Sequence, residues 1–255
     1  MPEYAQPETP PYELQPLLDK SVIVTGGTTG IGRAIARLLA TRGARVLIFG
    51  RHERELQEAL DEFSHTSPDV RGLVADVSRL EDIRKVFRQA DEELGKLDIL
   101  VNNAAVDGEG FETESPESIS YAVSTNVAGY LICAREAVVR MKKRGSGHIV
   151  NIGSMSASLR EPDASTYVAT KAAIQGFSES LRKTVNQDGI KVTLIEPGKV
   201  ATEMTDMQVE AKHQAQSHLE MLKPEDIAAC VYFCLTQPPR CDVVSLEVRP
   251  HLQII

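Results

Sequence analysis

The chain has 255 residues, of which 42% are hydrophobic and 25% are charged, and its formal net charge is −8. These totals are typical of one globular α/β domain, and an acidic chain lacks the basic face that nucleic-acid binding requires. No run reaches the ~20 consecutive apolar residues that span a bilayer, and the N-terminus lacks the pattern of a signal peptide, so we expect a cytoplasmic protein without a membrane partner.

The apolar pattern divides the chain into alternating strands and helices. Residues 1–17, which contain several prolines, are expected to form a flexible N-terminal arm. Strands are predicted at 21–25, 44–49, 70–75, 97–101, 148–152, 191–195 and 243–248. Helices are predicted at about 31–42, 53–63, 79–94, 116–144, 166–186 and 224–235.

Two helix starts carry capping signals. Ser78-x-x-Glu81 has the pattern of a capping box. The apolar face of the helix after it is expected to contain Leu80, Ile83, Phe87, Ala90 and Leu94. Ser115-Pro116 places a capping hydroxyl before a proline at the first helical position, so one uninterrupted helix is predicted from there to about residue 144.

This alternation predicts an α/β fold. We expect a single Rossmann-type, doubly wound, mostly parallel seven-stranded sheet with helices on both faces, formed by residues 18–255. In such a sheet the ligand lies across the carboxyl ends of the strands. The residues that follow each predicted strand are therefore the candidates for a functional site.

The cysteines and histidines show no metal-binding pattern. Cys230 and Cys234 are one helical turn apart, and neither they nor Cys133 and Cys241 form a Cys-x-x-Cys pair. The six histidines are scattered along the chain. We predict no metal site and, in a reducing compartment, free thiols.

A glycine-rich turn joins the first strand to the first helix. It reads Gly26-x-x-x-Gly30-x-Gly32 and lacks the Gly-Lys-Ser/Thr ending of an ATP-binding P-loop. A turn of this kind directs backbone N–H groups and a helix N-terminus at an anion. By itself it leaves two interpretations open, a dinucleotide cradle or an ordinary connection between a strand and a helix.

Tyr167 and Lys171 stand four residues apart at the start of a predicted helix, so they share one helix face. A fixed positive charge lowers the pKa of a phenol from ~10, which suits proton transfer between an alcohol and a ketone. The alternative is a surface pair. Ser154 is either a hydrogen-bond donor to a substrate oxygen or a loop serine. Asn126, in mid-helix, either holds a partner or is a tolerated polar residue.

Several motifs in one order resemble the short-chain dehydrogenase/reductase family. Thr25-Gly26-x-x-x-Gly30-Ile31-Gly32 resembles its cofactor loop. Asn102-Asn103-Ala104-Ala105 resembles its Asn-Asn-Ala-Gly segment, with Ala105 in place of the final glycine. Pro197-Gly198-x-Val200-x-Thr202 resembles the stretch that holds the nicotinamide carboxamide. The likeness covers about residues 20–202 and, more loosely, the last helix and strand.

The resemblance implies a role for each of four side chains with the family's catalytic spacing. Tyr167 is the general acid in carbonyl reduction and the base in alcohol oxidation. Lys171 lowers the pKa of Tyr167 and binds the nicotinamide ribose. Ser154 positions the substrate oxygen, and Asn126 supports a proton-relay water near Lys171.

By the same resemblance, Asp76 contacts the adenine, with Val77 nearby. Together with Arg51, the predicted cofactor-binding residues are Gly26, Thr28, Thr29, Gly30, Ile31, Asp76, Val77, Asn103, Ala104, Tyr167, Lys171, Pro197, Gly198, Val200 and Thr202.

Arg51 decides the predicted cofactor. NAD sites place a carboxylate after the second strand for the ribose 2′-OH, whereas NADP sites place an arginine there for the 2′-phosphate. Here that strand ends in Phe49-Gly50-Arg51, with no acid at its tip. We predict NADP(H), with NAD(H) as the alternative because Glu53 is close in sequence.

The predicted function is NADP(H)-dependent hydride transfer between the nicotinamide and a small-molecule carbonyl or secondary alcohol. The alternatives are a non-catalytic cofactor-sensing or scaffold protein of the same fold and an NAD-dependent dehydrogenase. The resemblance implies that the segment 201–222 covers the substrate. Its residues Met204, Met207 and Met221 suit an adaptable apolar pocket, but they equally suit packing on the core. The resemblance implies a homodimer or homotetramer through the long helices 116–144 and 166–186.

Overall fold

Seven parallel strands form one sheet in the order β3-β2-β1-β4-β5-β6-β7. The structure is a computed structural model that describes residues 13–65, 69–108, 110–205 and 207–253. The strands are β1 (Ser21–Thr25), β2 (Arg45–Gly50), β3 (Val70–Val74), β4 (Ile99–Asn102), β5 (Gly147–Ile152), β6 (Ile190–Pro197) and β7 (Ser245–Val248). The Rossmann-type prediction is confirmed, and every strand pair is parallel.

Helices cover both faces of this sheet. They are α1 (Gly30–Thr41), α2 (Glu53–Ser64), α3 (Leu80–Leu94), α4 (Pro116–Val123), α5 (Gly129–Lys142), α6 (Ser156–Leu159), α7 (Ser165–Val185), α8 (Val209–Ser217) and α9 (Pro224–Leu235). A π-helical turn, Ser124–Ala128, joins α4 to α5. The short α6 occupies part of the predicted polar loop after β5.

The two larger apolar clusters of the described residues lie on opposite faces of the sheet, because strand side chains alternate between its faces. All five residues of β1 are buried. Val22 and Val24 belong to the core that includes α1, α2 and α9, whereas Ile23 belongs to the core that includes α3, α5 and the end of α7. Helices on both faces leave the carboxyl edge of the sheet as the place for a ligand.

The start of α3 differs from the prediction of a capping box at Ser78, which is wrong. The helix begins at Leu80, and the side chain of Arg79 before it makes no capping hydrogen bond. Carboxylates bind the local N–H groups instead: Asp76 Oδ1 accepts from Ser78 N and Asp82 Oδ2 accepts from Asp76 N, both at 2.9 Å. Leu80, expected on the buried face, is 44% exposed.

The predicted helix 116–144 is interrupted. Its start is as expected, since Ser115 Oγ accepts from Ser118 N at 3.1 Å and Pro116 follows. The π-helical turn then inserts a wider turn in mid-helix, and Asn126 lies within it. Such turns are frequent at functional sites.

The first described residues of the chain pack against the end of α9. Residues 1–12 of the predicted arm lie outside the described residues, whereas Gln15 N donates to Thr236 O at 2.7 Å and Leu17 is buried.

The four cysteines are free thiols. Within the described ranges, no helix is long and apolar enough to cross a membrane, and no three potential metal ligands cluster.

Candidate active site

A cleft of about 950 Å³ runs along the carboxyl edge of the sheet. Its walls are the segments that follow β1 to β6 and the start of α7. Of the predicted site residues, only Asn126 does not line this cleft. The fold therefore brings the sequence motifs into one continuous space.

The glycine turn has the contour of an anion cradle. Gly26 and Gly30 have φ values of 61° and 51°, in the left-handed region that favours glycine. A Cβ on Gly32 would fall on the Gly26 carbonyl oxygen and lie 2.5 Å from Asn103 Nδ2. No side chain caps the N–H groups of the first turn of α1, which lines the cleft. A pyrophosphate fits this cradle.

Residues after β4 hold the glycine turn in place. Asn103 Nδ2 donates to the carbonyl oxygens of Thr25, at 3.0 Å, and Gly26, at 3.1 Å. In return, Thr25 Oγ1 accepts from Asn103 N at 2.8 Å and Ala104 N at 2.9 Å. These bonds join the ends of β1 and β4, on which the two halves of the cleft are built.

Lys171 is buried at one end of the cleft, with 2% of its surface exposed. Its ammonium donates to the Ile152 carbonyl oxygen at 3.0 Å and lies 5.6 Å from the Tyr130 ring centroid and 5.5 Å from that of Tyr167. The Tyr130 hydroxyl donates to the same carbonyl at 3.1 Å. The faces of aromatic rings and a carbonyl oxygen carry partial negative charge, so together they stabilise the buried ammonium.

Burial controls the pKa values of this pair. It raises the pKa of Tyr167 to about 12, although a hydrogen bond with Ser154 acts in the opposite direction and the carboxylates of Asp107 and Glu161 raise the pKa further. Burial lowers the pKa of Lys171 to about 8, against the attraction of Asp107. The expected lowering of the Tyr167 pKa is not found because a buried phenolate is poorly solvated. The phenol is protonated at neutral pH.

Ser154 follows β5 where the chain turns into α6. Its Oγ accepts from Ser156 N at 3.2 Å, and Met155 N donates to Pro197 O at 3.0 Å. These contacts fix the serine between the ends of β5 and β6, beside Tyr167. The accepted bond leaves the hydroxyl proton available for another acceptor.

Asn126 is fully buried and its side-chain amide is occupied by the protein. Its Oδ1 accepts from Val106 N and its Nδ2 donates to Val106 O, both at 2.8 Å. Nδ2 also donates to Thr170 Oγ1 at 3.2 Å, one residue before Lys171. The amide thus ties the segment after β4 to α7 and does not reach the cleft.

The other end of the cleft carries Asp76, after β3, and Arg51, after β2. Arg51 Nη1 donates to Tyr121 Oη at 2.7 Å, and the Tyr121 hydroxyl donates to Asp76 Oδ2 at 3.1 Å. Burial acts to raise the pKa of Asp76, but bonds from Ser78 and Tyr121 hold that pKa below its ordinary value. This end is more exposed than the end at Lys171.

Gly50 closes the position where a carboxylate would select the ribose 2′-OH. A Cβ on Gly50 would lie 2.5 Å from Thr28 Oγ1 and 2.8 Å from Thr28 Cγ2. An acidic side chain therefore does not fit at the end of β2 unless Thr28 moves. The nearest side chain beyond this point is that of Arg51.

The segment after β6 is held by the C-terminal part of the chain. Gly198 N donates to Val248 O at 2.7 Å, and Lys199 N donates to Gln253 Oε1 at 3.1 Å. Gln253 also lines the cleft. The tail thus forms part of the wall that the Pro197-Gly198 motif builds.

The three methionines of the segment 201–222 lie in different surroundings, and Met207 is 39% exposed without lining the cleft. Met204 is 43% exposed and lines the cleft, whereas Met221 is 7% exposed. Val200 pairs with Leu222 in a parallel bridge, so the segment leaves and returns at one point. Packing on the interior therefore applies to Met221, whereas covering of the substrate by this segment stays a prediction.

Tyr121, Tyr130 and Gln253, which hold groups of the site in place, were not among the predicted residues. Tyr130 stands four residues after Asn126, and the helical period would have placed it on the same side. No local pattern marks Tyr121 or Gln253, because their contacts join segments far apart in sequence.

Comparison with known proteins identifies the family of the chain. Residues 20–213 match the family described as short chain dehydrogenase. An uncharacterised oxidoreductase of Staphylococcus aureus (strain MRSA252) is 34% identical over 235 residues, which cover 92% of this chain and 98% of that protein. An uncharacterised oxidoreductase of Staphylococcus saprophyticus is 32% identical over 239 residues with the same coverage.

Two solved structures share the fold. A 3-ketoacyl-(acyl-carrier-protein) reductase from Brucella melitensis, complexed with NADH, has a TM-score of 0.83 and 26% identity, covering 93% of this chain and all of that one. A variant of actinorhodin polyketide ketoreductase with NADPH also has a TM-score of 0.83, with 28% identity, covering 92% and 97%. The chain belongs to the short-chain dehydrogenase/reductase family, and it is an oxidoreductase of the kind that uses a nicotinamide cofactor.

Proposed function

We propose that the protein is an NADP(H)-dependent reductase or dehydrogenase of a ketone and secondary-alcohol pair, with Tyr167 as general acid and base. The observation that carries the proposal is the position of the Tyr167 phenol beside the buried Lys171 ammonium and the Ser154 hydroxyl. These groups give one substrate oxygen both a proton and a hydrogen bond, as carbonyl reduction requires. The names of both structural neighbours describe ketoreductases, which supports a ketone substrate.

The nicotinamide supplies the hydride when the cofactor is bound. The glycine turn would hold the pyrophosphate, the segment 197–202 the carboxamide, and Asp76 the adenine. Support comes from the glycine turn, where Gly26 and Gly30 line the cleft with left-handed backbone and the absence of a Cβ on Gly32 lets the helix pack closely on the Gly26 carbonyl.

The chain's own groups handle the proton. A pKa raised to about 12 keeps the Tyr167 phenol protonated at neutral pH, so the free protein is ready to donate a proton in the reductive direction. The Lys171 ammonium beside the ring limits the cost of the phenolate that remains after donation. Ser154 donates a hydrogen bond to the same substrate oxygen, where negative charge develops.

Arg51 supports the preference for NADP(H). A guanidinium binds a phosphate through several N–H donors, and Gly50 leaves no room for the carboxylate that an NAD site needs. In an assay with NADPH and NADH, Arg51→Ala should raise the KM for NADPH about tenfold or more, since charged hydrogen bonds contribute roughly 1.5–3 kcal/mol, and leave the KM for NADH nearly unchanged. An unchanged ratio of the two constants would remove Arg51 from cofactor selection.

The catalytic proposal is tested with a panel of ketones and secondary alcohols, following NADPH absorbance. Tyr167→Phe should lower kcat by about 10²-fold or more, the usual contribution of a general acid. Tyr232→Phe, a tyrosine of α9 outside the cleft, is the matched control and should retain full activity. Turnover that survives Tyr167→Phe would exclude the mechanism. Tight NADPH binding without turnover on any substrate would favour the cofactor-sensing alternative.

We also propose a homo-oligomer that pairs through the long helices. The outer face of α4 and α5 carries exposed apolar side chains, Val123, Leu131 and Val139, which a second copy would cover. Sedimentation velocity of the intact protein tests this, and a monomer at micromolar concentration would exclude it.

A further inference from the structure

Tyr121 is placed between the two side chains that are proposed to contact the adenine half of the cofactor. It lies on α4, in the wall of the cleft, and it is half-buried. Arg51 Nη1 is 2.7 Å from its hydroxyl oxygen, and Asp76 Oδ2 is 3.1 Å from the same atom. Residues that follow β2 and β3 are thereby joined through one phenol from another part of the chain.

The direction of both hydrogen bonds is determined. A tyrosine hydroxyl has one proton, a guanidinium only donates, and an ionised carboxylate only accepts. The Tyr121 proton therefore points to Asp76, whose lowered pKa keeps it ionised, and the Tyr121 oxygen accepts from Arg51. Exchange of these roles is not available to the three groups.

The Tyr121 ring adds a second contact with Arg51. The guanidinium carbon lies 5.4 Å from the ring centroid, within the range of a cation–π interaction. Arg51 Nε donates to His52 Nε2 at 3.0 Å. With Nε and one N–H of Nη1 engaged, Nη2 has no protein partner among the described residues. The two N–H groups of Nη2 and the second N–H of Nη1 are the donors left for a ligand in the cleft.

We propose that Tyr121 is the positioning residue through which this chain recognises a 2′-phosphate. Its hydroxyl, fixed by Asp76, and its ring hold the exposed Arg51 guanidinium in the cleft before the cofactor arrives. An arginine held in this way loses less conformational freedom on binding a phosphate. The inference deepens the proposed NADP(H) preference and rests on it.

The test measures binding of two adenine nucleotides that differ by one phosphate, 2′,5′-ADP and 5′-AMP, by calorimetry with the full chain. Tyr121→Phe keeps the ring and removes the hydroxyl. It should weaken the binding of 2′,5′-ADP about three- to tenfold, which is the effect of freeing one side chain. The affinity for 5′-AMP should change by less than twofold. Tyr232→Phe is the matched control, since it is another tyrosine with an arginine, Arg42, over its ring, and it should change neither.

A double-mutant cycle shows whether Tyr121 acts through Arg51. In an Arg51→Ala background, Tyr121→Phe should have no further effect on 2′,5′-ADP. Equal weakening of both nucleotides by Tyr121→Phe, or an undiminished effect in the Arg51→Ala background, would overturn the positioning role. Failure of the NADP(H) preference itself is seen separately, as wild-type protein that binds 2′,5′-ADP no better than 5′-AMP.

Discussion

The two ends of the cleft hold their charged side chains by different means. At the end formed by β5 and α7, the Lys171 ammonium is buried and its partners are a backbone carbonyl and two rings. At the end formed by β2 and β3, Arg51 is exposed and its partners are other side chains. Charges interact strongly where water is excluded and weakly where it is not. Chemistry at the buried end should therefore depend on single groups, whereas recognition at the exposed end is shared among several.

Lys171→Met gives the largest expected effect, because Lys171 is the one lysine or arginine that is buried in the described part of the chain. We expect kcat to fall by about 10²- to 10⁴-fold, as when a proton-transfer group is lost. Steady-state kinetics with NADPH and a ketone substrate measure this change. A fall in kcat of less than tenfold would mean that catalysis at the buried end is distributed over several groups, like recognition at the exposed end.

The same variant should change how stability depends on pH. The folded pKa of Lys171 is about 8, below its ordinary value of 10.5, so between these values the unfolded chain binds more protons than the folded one. Stability of the wild type should therefore rise with pH across this window, by roughly 3 kcal/mol from this group. Urea unfolding at pH 7.5 and 9.5 should show that rise reduced in Lys171→Met. An equal rise in both proteins would assign it to other groups.

The buried end was the more predictable of the two. Tyr167, Lys171 and Ser154 were found from helical spacing and the end of a strand, because short-range periodicity carries those relations. The sequence also predicted the doubly wound, seven-stranded sheet and the glycine turn. The π-helical turn around Asn126 and the Arg51–Tyr121–Asp76 contacts were not predictable, since they depend on packing between distant segments. The carboxylate cap before α3 is local, and it was missed because Asp76 and Asp82, rather than Ser78, bind the N–H groups there. The pKa of Tyr167 was misjudged because burial cannot be read from a spacing of four residues.

Gly32→Ala examines the backbone that lies between the two ends. The added Cβ would displace the Gly26 carbonyl or the Asn103 amide, so NADPH binding should weaken by about tenfold or more, with a loss of stability of about 1–3 kcal/mol from overpacking. Gly176→Ala is the matched control, because a Cβ there meets no atom within 4 Å and α7 gains about 0.5–1 kcal/mol. Fluorescence titration and thermal unfolding measure both. Similar behaviour of the two variants would mean that the turn is not tightly packed.

Gly50→Asp tests how the exposed end of the cleft selects between NADPH and NADH. The carboxylate would repel a 2′-phosphate, and its Cβ would displace Thr28, so NADPH affinity should fall by about tenfold, on the scale of one lost charged hydrogen bond. NADH affinity should improve only when Thr28→Ala is added to make room. Calorimetric titration of the single and double variants checks both steps. An improvement in NADH binding by Gly50→Asp alone would show that Thr28 does not close the position.

Thr25→Val addresses the connection between the ends, where the smallest effect is expected. The Thr25 hydroxyl is fully buried and accepts from both Asn103 N and Ala104 N, so valine would leave two donors without that partner. We expect a loss of about 1–3 kcal/mol in unfolding free energy and a threefold or smaller rise in the KM for NADPH. Thr25→Ser retains the hydroxyl and is the control. If the two hydrogen bonds to Thr25 Oγ1 support only the adenine half of the cleft, kcat should stay constant in Thr25→Val. A fall in kcat that Thr25→Ser does not show would mean that both ends of the cleft depend on these two hydrogen bonds.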